Sequence, residues 1–273
     1  MILVTGANGN LGAAALAALH ARGTVAAGGS RTPGEGMRRL DFDDPSSLDL
    51  AGVSTLVLVS AGYAEDDRVV ARHAAALDAA VRDGVGHVVY TSLTTAGDHL
   101  GFALAHRATE RLVRASGLPW TILRNGLYAE LFGGLLMWAG GDVESAFGDG
   151  ALAAVSRADL AEAAAVVASD PAPHGGRVYD LVGTPITAGQ VADELGVAHR
   201  AIGLGEYRRR LLHETPGLLP FQPPMLASIA TGIRHGFLDG TAPDLTDLLG
   251  RAARAPLATA VAAASAARPE AGD

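Results

Sequence analysis

The chain of 273 residues contains no cysteine and no lysine, so all 21 of its basic residues are arginine. The absence of cysteine excludes disulfide bonds, thiolate metal sites and cysteine nucleophiles. The absence of lysine excludes Schiff-base chemistry and the phosphate-binding lysine of a P-loop.

Positive charge and long apolar runs are also scarce. The net charge of −8 disfavours a general nucleic-acid binder, because binding to phosphate requires a basic face. No apolar run is long and uninterrupted enough to span a bilayer, and an apolar strand begins at residue 1, so we expect no N-terminal targeting segment. We expect a cytoplasmic monomer or homodimer with a small-molecule partner and with neither nucleic-acid nor membrane partners.

The most informative feature is a glycine-rich turn near the start of the chain. An apolar run over residues 1–5 is followed at once by glycines at positions 6, 9 and 12 and by an alanine-rich helical segment that reaches about residue 22. A strand, a glycine turn and a helix N-terminus together form a diphosphate-binding site; the alternative is a tight turn without a ligand. The residues assigned to this cofactor site are Gly6, Asn8, Gly9, Asn10, Leu11 and Gly12.

Strand-like and helix-like segments alternate through the first half of the chain. Alternation of this kind predicts an α/β fold with a Rossmann-type, doubly wound parallel sheet and right-handed crossovers. Ligands of such sheets bind at the carboxyl ends of the strands. We therefore expect a cofactor-binding domain over residues 1–126. The predicted strands cover residues 1–5, 24–27, 37–42, 55–59, 86–91 and 120–123, and the predicted helices cover 11–22, 66–83 and 102–116.

The pattern changes after residue 126. We expect residues 127–273 to form a small, mostly helical substrate-binding lobe that is interleaved with the end of the sheet. The predicted helices cover residues 127–138, 156–168 and 187–195, a strand covers 177–181, and helices broken by prolines follow from residue 205. The lobe also carries large side chains that are candidates for an apolar pocket, namely Phe132, Met137, Trp138, Phe147, Phe221 and Met225.

Four residues at the predicted carboxyl edge bear on the type of cofactor. Arg31 follows the second predicted strand, where an acidic residue would bind the 2′-hydroxyl of NAD. Because arginine pairs well with phosphate, NADP is favoured over NAD; the alternative is a solvated loop arginine. Asp41 and Phe42 end the third predicted strand, where a carboxylate can meet the adenine amino group and a ring can lie against the base. Ser60, after the fourth strand, is expected to line the ribose side.

Five further polar residues lie where the nicotinamide and the substrate would meet. Thr91 and Ser92 end the fifth predicted strand, and the Ser92 hydroxyl is placed to meet a nicotinamide or a substrate carbonyl; the alternative is a turn serine. His106 lies on the next helix and can donate a hydrogen bond to a ribose or substrate oxygen, or can be an ordinary core histidine. Asn125 is expected near the nicotinamide carboxamide. Tyr128 either faces the pocket or packs in the first turn of a helix.

The order of these motifs resembles that of the NmrA-like atypical short-chain dehydrogenases/reductases. Within that family the chain looks most like the NAD(P)H:quinone oxidoreductase and triphenylmethane reductase group. The resemblance implies a Rossmann domain, a small C-terminal lobe, NADP as cofactor and hydride transfer to a quinone, a dye or a related conjugated acceptor. It rests on Gly6-x-x-Gly9-x-x-Gly12, Tyr90-Thr91-Ser92, His106 ahead of residues 117–121, Leu123-Arg124-Asn125-Gly126-x-Tyr128, residues 156–161, residues 179–183 and Leu249-Gly250-Arg251.

The chain departs from two lysine-dependent patterns of related proteins. It cannot contain the Tyr-x-x-x-Lys pair of the ordinary short-chain family, and His106 occupies the position that resembles the lysine of isoflavone reductases. We expect Ser92, His106 and Tyr128 to polarise the acceptor oxygen, while Glu110 either orients His106 or pairs with a nearby arginine. Three alternatives remain open: a tailoring reductase of polyketides or other secondary metabolites, a non-catalytic NADP-binding redox sensor, and an epimerase or isomerase. The abundance of Ala, Gly and Arg suggests a GC-rich coding sequence and a bacterial source.

Overall fold

A computed structural model describes residues 1–61 and 64–269 of the chain. Twelve strands are present in this part: β1 (Ile2–Thr5), β2 (Ala26–Ser30), β3 (Arg38–Arg39), β4 (Thr55–Leu58), β5 (His87–Leu93), β6 (Trp120–Asn125), β7 (Met137–Ala139), β8 (Asp142–Ser145), β9 (Ala151–Ala154), β10 (Val178–Leu181), β11 (Thr184–Thr187) and β12 (His199–Ala201). The same part contains the helices α1 (Asn10–Ala21), α2 (Asp66–Arg82), α3 (Ala103–Ala115), α4 (Ala129–Gly134), α5 (Arg157–Ser169), α6 (Ala188–Leu195), α7 (Leu204–His213), α8 (Gln222–Arg234), α9 (Asp244–Leu249) and α10 (Pro256–Ala266).

Seven of the strands form one sheet in the order β10-β6-β5-β4-β1-β2-β3, and every pair in it is parallel. The central strands β1, β4 and β5 are buried along their whole length, as their nearly continuous apolar sequences require. The strand order reverses between β1 and β4, and the crevice outside the carboxyl ends at such a point is where doubly wound sheets bind ligands. The expected Rossmann-type sheet is therefore confirmed.

Helices cover both faces of this sheet because the side chains of each buried strand alternate between two apolar cores. On one face, α1, α5 and α9 pack against residues such as Val4, Val57 and Val89. On the other face, α2 and α3 pack against residues such as Leu56 and Tyr90. The two layers leave the carboxyl edge of the sheet facing the remaining part of the chain.

That remaining part is a lobe with its own apolar core. It contains α4, α6, α7, α8 and α10, and two small sheets, one formed by β12, β8 and β7 and the other by β11 and β9. The lobe is mostly helical, as expected, but the sequence reasoning did not predict its five short strands. Three elements of the second half, α5, β10 and α9, pack with the large sheet instead of the lobe.

Several predicted element boundaries are wrong for local physical reasons. The second strand extends to Ser30 because its two glycines serve close packing: a Cβ on Gly29 would lie 2.3 Å from the Leu40 side chain. The strand predicted over residues 37–42 is only Arg38–Arg39. The helix predicted over residues 127–138 ends at Gly134, and the chain enters β7 at Met137. Consecutive glycines at 133 and 134 weaken a helix at this point.

Two of the residues expected to line an apolar pocket belong to the lobe core instead. Phe132 and Phe147 are fully buried, with their ring centroids 5.1 Å apart, so they belong to the core and not to a pocket wall.

Across the described ranges, no helix has both the length and the apolar character needed to cross a membrane.

Candidate active site

The glycine turn after β1 has the geometry of an anion-binding helix N-terminus. Gly6 has a φ of +60°, which favours glycine, and its carbonyl accepts a hydrogen bond of 2.8 Å from the Gly9 amide. A Cβ on Gly12 would lie 2.3 Å from the Gly6 oxygen, so only glycine allows α1 to approach β1 this closely. The amides of Asn10, Leu11 and Gly12 make no hydrogen bond with any described residue. The turn therefore fits a diphosphate.

The segment that follows β2 is tied to this turn. The Asn8 side chain donates hydrogen bonds of 2.7 and 3.3 Å to the backbone oxygen and the hydroxyl of Thr32, and the Ala7 amide donates to the Gly29 oxygen at 3.1 Å. Arg31 lies between these anchors, is exposed, and forms no ion pair within residues 1–61 and 64–269. The backbone around Arg31 is therefore held near the turn, and its exposed side chain is available to an additional phosphate.

Asp41 and Phe42 follow β3, and both are half-buried. The Asp41 carboxylate accepts a hydrogen bond of 3.1 Å from the Asp43 amide, and Phe42 packs against the apolar core under α2 and α3. The neighbouring Asp43 lies between Arg72 and Arg68, and its hydrogen bonds with them lower the pKa of its carboxyl well below the usual range. Adenine contacts for Asp41 and Phe42 stay predictions.

Ser60 and Asn125 bring two buried polar atoms to the carboxyl edge. The Ser60 amide donates a hydrogen bond of 3.1 Å to the Thr91 hydroxyl, which joins the ends of β4 and β5. The Ser60 hydroxyl and the Asn125 side-chain oxygen have no hydrogen-bond partner among the described residues. Buried polar groups in native proteins are nearly always satisfied, so both atoms fit contacts to a ligand at this edge.

His106 lies on α3 at the junction between the sheet and the lobe. Its Nδ1 is 3.0 Å from the hydroxyl of the fully buried Tyr90, and its ring centroid is 6.4 Å from that of Phe102, which packs on the lobe core. Burial, and then the charge of Arg107, lowers the pKa of His106 to about 4. The imidazole is therefore neutral at neutral pH and carries a single N–H.

A fully buried histidine, which the sequence reasoning missed, packs against the Tyr90 ring of this pair. His73 on α2 accepts a hydrogen bond of 2.9 Å from the Ala61 amide at Nε2, and its Nδ1 is 2.8 Å from the Thr109 hydroxyl. Burial lowers the pKa of His73 to about 3. His73 thus holds the backbone that follows β4. Its only sequence signal is its spacing from Val69 and Leu77 on the apolar face of α2.

Ser92 does not face open space at the carboxyl edge. It is buried, and its hydroxyl donates a hydrogen bond of 2.7 Å to Glu110 on α3. Glu110 also pairs with Arg107, Arg114 and Arg124, at 2.8, 3.3 and 2.8 Å. Burial alone would raise the pKa of Glu110, but hydrogen bonds from Arg124 and Ser92 and the charges of the arginines lower it below its ordinary value. Of the two roles expected for Glu110, the structure shows the pairing with arginine.

The Glu110 cluster also holds the loop that follows β5. Arg107 donates hydrogen bonds to the backbone oxygens of Leu93 and Thr94 at 2.9 and 3.0 Å, and to Asp98 at 2.6 Å. Arg124 donates to the Thr95 hydroxyl at 2.8 Å. The loop, residues 94–101, is therefore fixed to α3 and β6.

Tyr128 lies apart from His106. It occupies the position before α4, packs with the core under α1 and α5, and lies 4.8 Å below the Arg157 guanidinium. His106 is on α3, on the opposite face of the sheet. The structure therefore does not bring Ser92, His106 and Tyr128 together as one polar cluster, and their roles stay predictions.

An open groove of about 680 Å³ lies at the other, amino edge of the sheet. Met1, Val25, Pro119 and Pro171 are among its lining residues, and none of the predicted site residues lies there. The features that fit a nucleotide cofactor are thus gathered at the carboxyl edge alone among the described parts of the chain.

Comparison with known proteins decides the family. The sequence model described as NAD(P)H-binding matches residues 6–171. The chain belongs to this family. Quinone oxidoreductase 2 of Escherichia coli K12 is 33% identical over 276 residues, which cover 92% of this chain and 94% of that protein. A (4-alkanoyl-5-oxo-2,5-dihydrofuran-3-yl)methyl phosphate reductase of Streptomyces griseus is 32% identical over 93% of this chain and 94% of its own length.

A solved structure agrees with this assignment. The triphenylmethane reductase of Citrobacter sp., crystallised with NADP(H), superposes with a TM-score of 0.84 at 28% identity, covering 98% of this chain and 99% of that one. The expected fold class, the NmrA-like group of atypical short-chain reductases, the nicotinamide cofactor and the oxidoreductase class are confirmed.

Proposed function

We propose that the protein is an NADPH-dependent reductase that transfers a hydride to a quinone or a similar conjugated or aromatic acceptor. The observation that carries this proposal is the position of His106 at the junction of sheet and lobe. Its imidazole is neutral, its Nδ1 is hydrogen-bonded to Tyr90, and its Nε2 makes no hydrogen bond with any described residue. The similarity to quinone oxidoreductase 2 along nearly the whole chain supports the same acceptor class.

Different residues at the carboxyl edge would bind different parts of the cofactor. The amides of Asn10, Leu11 and Gly12 would hold the diphosphate, and the Arg31 guanidinium would pair with the 2′-phosphate. Asp41 and Phe42 would meet the adenine, and Ser60, Thr91 and Asn125 would meet the ribose and nicotinamide through the polar atoms described above. The bound cofactor supplies the hydride.

His106 would stabilise the negative charge that develops on the acceptor oxygen. A neutral imidazole N–H can donate a hydrogen bond to that oxygen without giving up its proton, because loss of the only N–H proton would leave an imidazolate. The reduced oxygen of a quinone is only weakly basic, so water can protonate it. Ser92 would act through the Glu110 cluster that fixes the loop, and Tyr128 would form part of the pocket wall.

The test is NADPH oxidation with a panel of benzoquinones, naphthoquinones and triphenylmethane dyes, alongside NADPH titration. We expect turnover with quinones. We expect His106→Gln to lower kcat about a hundredfold with an unchanged Kd for NADPH. Unchanged kcat would remove His106 from the mechanism, and tight NADPH binding without turnover on any acceptor would favour the redox sensor.

A second candidate is a tailoring reductase of a specialised conjugated lactone or polyketide. It is favoured by the 32% identity to a reductase of phosphate-bearing dihydrofuranones. A conjugated lactone with and without a phosphate group therefore belongs in the acceptor panel. Faster turnover of the lactone than of every quinone would select this candidate.

We further propose that the protein works in the cytoplasm of a bacterium, as a monomer or homodimer, on a small molecule. The two full-length relatives described above come from bacteria. Size-exclusion chromatography with light scattering would give the oligomeric state.

A further inference from the structure

Tyr90 and His106 form a hydrogen-bonded pair that links the core of the sheet to the candidate active site. Tyr90 belongs to the buried strand β5, and its side chain is fully buried between the sheet and the helices α2 and α3. Its hydroxyl lies 3.0 Å from Nδ1 of His106. A neutral histidine has one N–H, so the direction of this single hydrogen bond decides which nitrogen carries the proton.

The chemistry of the two groups favours donation from the phenol. An imidazole nitrogen is a base whose conjugate acid has an ordinary pKa near 6.5, whereas a phenol is a weak acid with an ordinary pKa near 10 and an oxygen of little basicity. The stronger hydrogen bond is therefore Tyr90 O–H to Nδ1. Burial raises the pKa of Tyr90 well above its ordinary value, so the hydroxyl keeps its hydrogen.

Among the groups around the Tyr90 hydroxyl, Nδ1 is the strongest acceptor for this buried hydrogen. The Ser60 hydroxyl is also near Tyr90, but a hydroxyl oxygen is a weaker base than an imidazole nitrogen. The Thr109 hydroxyl is near Tyr90, but it already donates to the Ala105 oxygen at 2.8 Å and accepts from His73 Nδ1 at 2.8 Å. His73 must present its own hydrogen at Nδ1, because its Nε2 accepts from the Ala61 amide. The hydrogen of one buried imidazole is thus fixed by a backbone amide.

We propose that Tyr90 is a positioning residue whose O–H donates to Nδ1 of His106 and thereby fixes the imidazole hydrogen at Nε2. Nε2 lies on the far side of the ring from Tyr90 and makes no hydrogen bond with any described residue. This arrangement presents an N–H donor to an acceptor oxygen. The inference rests on the proposed function for the oxygen that receives this bond, whereas the position of the hydrogen does not depend on it.

The tautomer is measured directly by long-range proton–nitrogen NMR of the histidine rings in the protein without cofactor. The signals of His106 are assigned from their loss in His106→Gln. We expect the wild-type ring as the Nε2–H form. In Tyr90→Phe, which keeps the ring and removes the hydroxyl, we expect an additional Nδ1–H population and a kcat lower by about five- to tenfold, with an unchanged Kd for NADPH.

A second tyrosine–histidine pair in the same fold supplies a matched control. The Tyr179 hydroxyl lies 2.7 Å from Nδ1 of His174, and the two rings meet edge to face. Tyr179→Phe removes the same type of hydrogen bond away from His106, and we expect it to leave kcat and the His106 signals unchanged. The Nδ1–H form in the wild type, or wild-type signals and kcat in Tyr90→Phe, would overturn the proposal. The Nε2–H form without turnover on any acceptor would uphold the pairing and refute the proposed function.

Discussion

Replacement of Gly12 by alanine is expected to weaken NADPH binding and stability together. The new methyl group would lie 2.3 Å from the Gly6 oxygen and 2.9 Å from the Thr5 oxygen, whereas such atoms rest about 3.5 Å apart. Both obstacles are backbone atoms that cannot rotate away. The start of α1 must therefore move by about 1 Å, and overpacking of this kind costs about 1–3 kcal/mol. For a chain of this size we expect Tm to fall by roughly 2–10 °C.

The same movement displaces the amides proposed to hold the diphosphate. Because several charge-assisted hydrogen bonds weaken together, we expect the Kd for NADPH to rise at least about tenfold. Titration calorimetry or cofactor fluorescence gives the Kd, and thermal unfolding gives the Tm.

Two glycines of the lobe separate these effects. A Cβ on Gly133 would lie 2.1 Å from the Ala260 oxygen, a comparable clash between α4 and α10. Gly133→Ala should lower Tm and leave the Kd unchanged. Gly134 is exposed, and a Cβ added to it would have no described neighbour outside its own helix within 4 Å, so Gly134→Ala should leave both values near those of the wild type. A wild-type Kd in Gly12→Ala would refute the assignment of this turn to the diphosphate.

Three further predictions concern charge. Arg31→Ala should raise the Kd for NADPH about tenfold and leave the Kd for NADH unchanged. If titrations show that both Kd values rise equally, Arg31 does not contact the 2′-phosphate. Glu110→Gln should lower the urea-measured unfolding free energy by about 3 kcal/mol, and the control Glu206→Gln, whose carboxylate is solvated, should lower it much less. Equal losses would contradict the role of burial. The pKa of His73 is about 3, so below about pH 6.5 the unfolded chain binds a proton that the folded chain does not, and stability should fall by up to about 1.4 kcal/mol per pH unit. Urea unfolding near pH 7 and pH 5 measures this slope, which should be smaller in His73→Gln.

Local sequence patterns were sufficient for the large sheet and the glycine turn. The apolar runs of β1 and β4 are buried on both faces and need no distant partner to be recognised. The side chains of Ser156 and Thr187 cap the helices that were predicted to begin at these residues, and each accepts a hydrogen bond from an amide three residues ahead. These features depend on neighbours in the sequence.

The features that were missed depend on contacts between distant residues. The strands of the lobe have three or four residues each, and β8 pairs with β12, more than 50 residues further along the chain. Because Ser92 lies at the end of a strand, its hydroxyl was expected to face a ligand. In the structure this hydroxyl donates a hydrogen bond to Glu110, which joins β5 to α3. His73 is missed for the same reason, since its partners lie after β4 and on α3.

The interleaving of the lobe with the sheet limits how the two can move. The chain leaves the sheet after β6, returns for α5 and β10, leaves again for β11 to α8, returns for α9, and ends in α10 against α4 and α6. Behind α9, Arg251 and Arg254 bind the buried Asp159 of α5. A hinge between two bodies normally runs through a few connecting residues, whereas rotation here would strain five connections at once. We therefore expect ligands to reach the carboxyl edge of the sheet through local displacement of single segments, while the lobe and the sheet stay fixed in relation to each other.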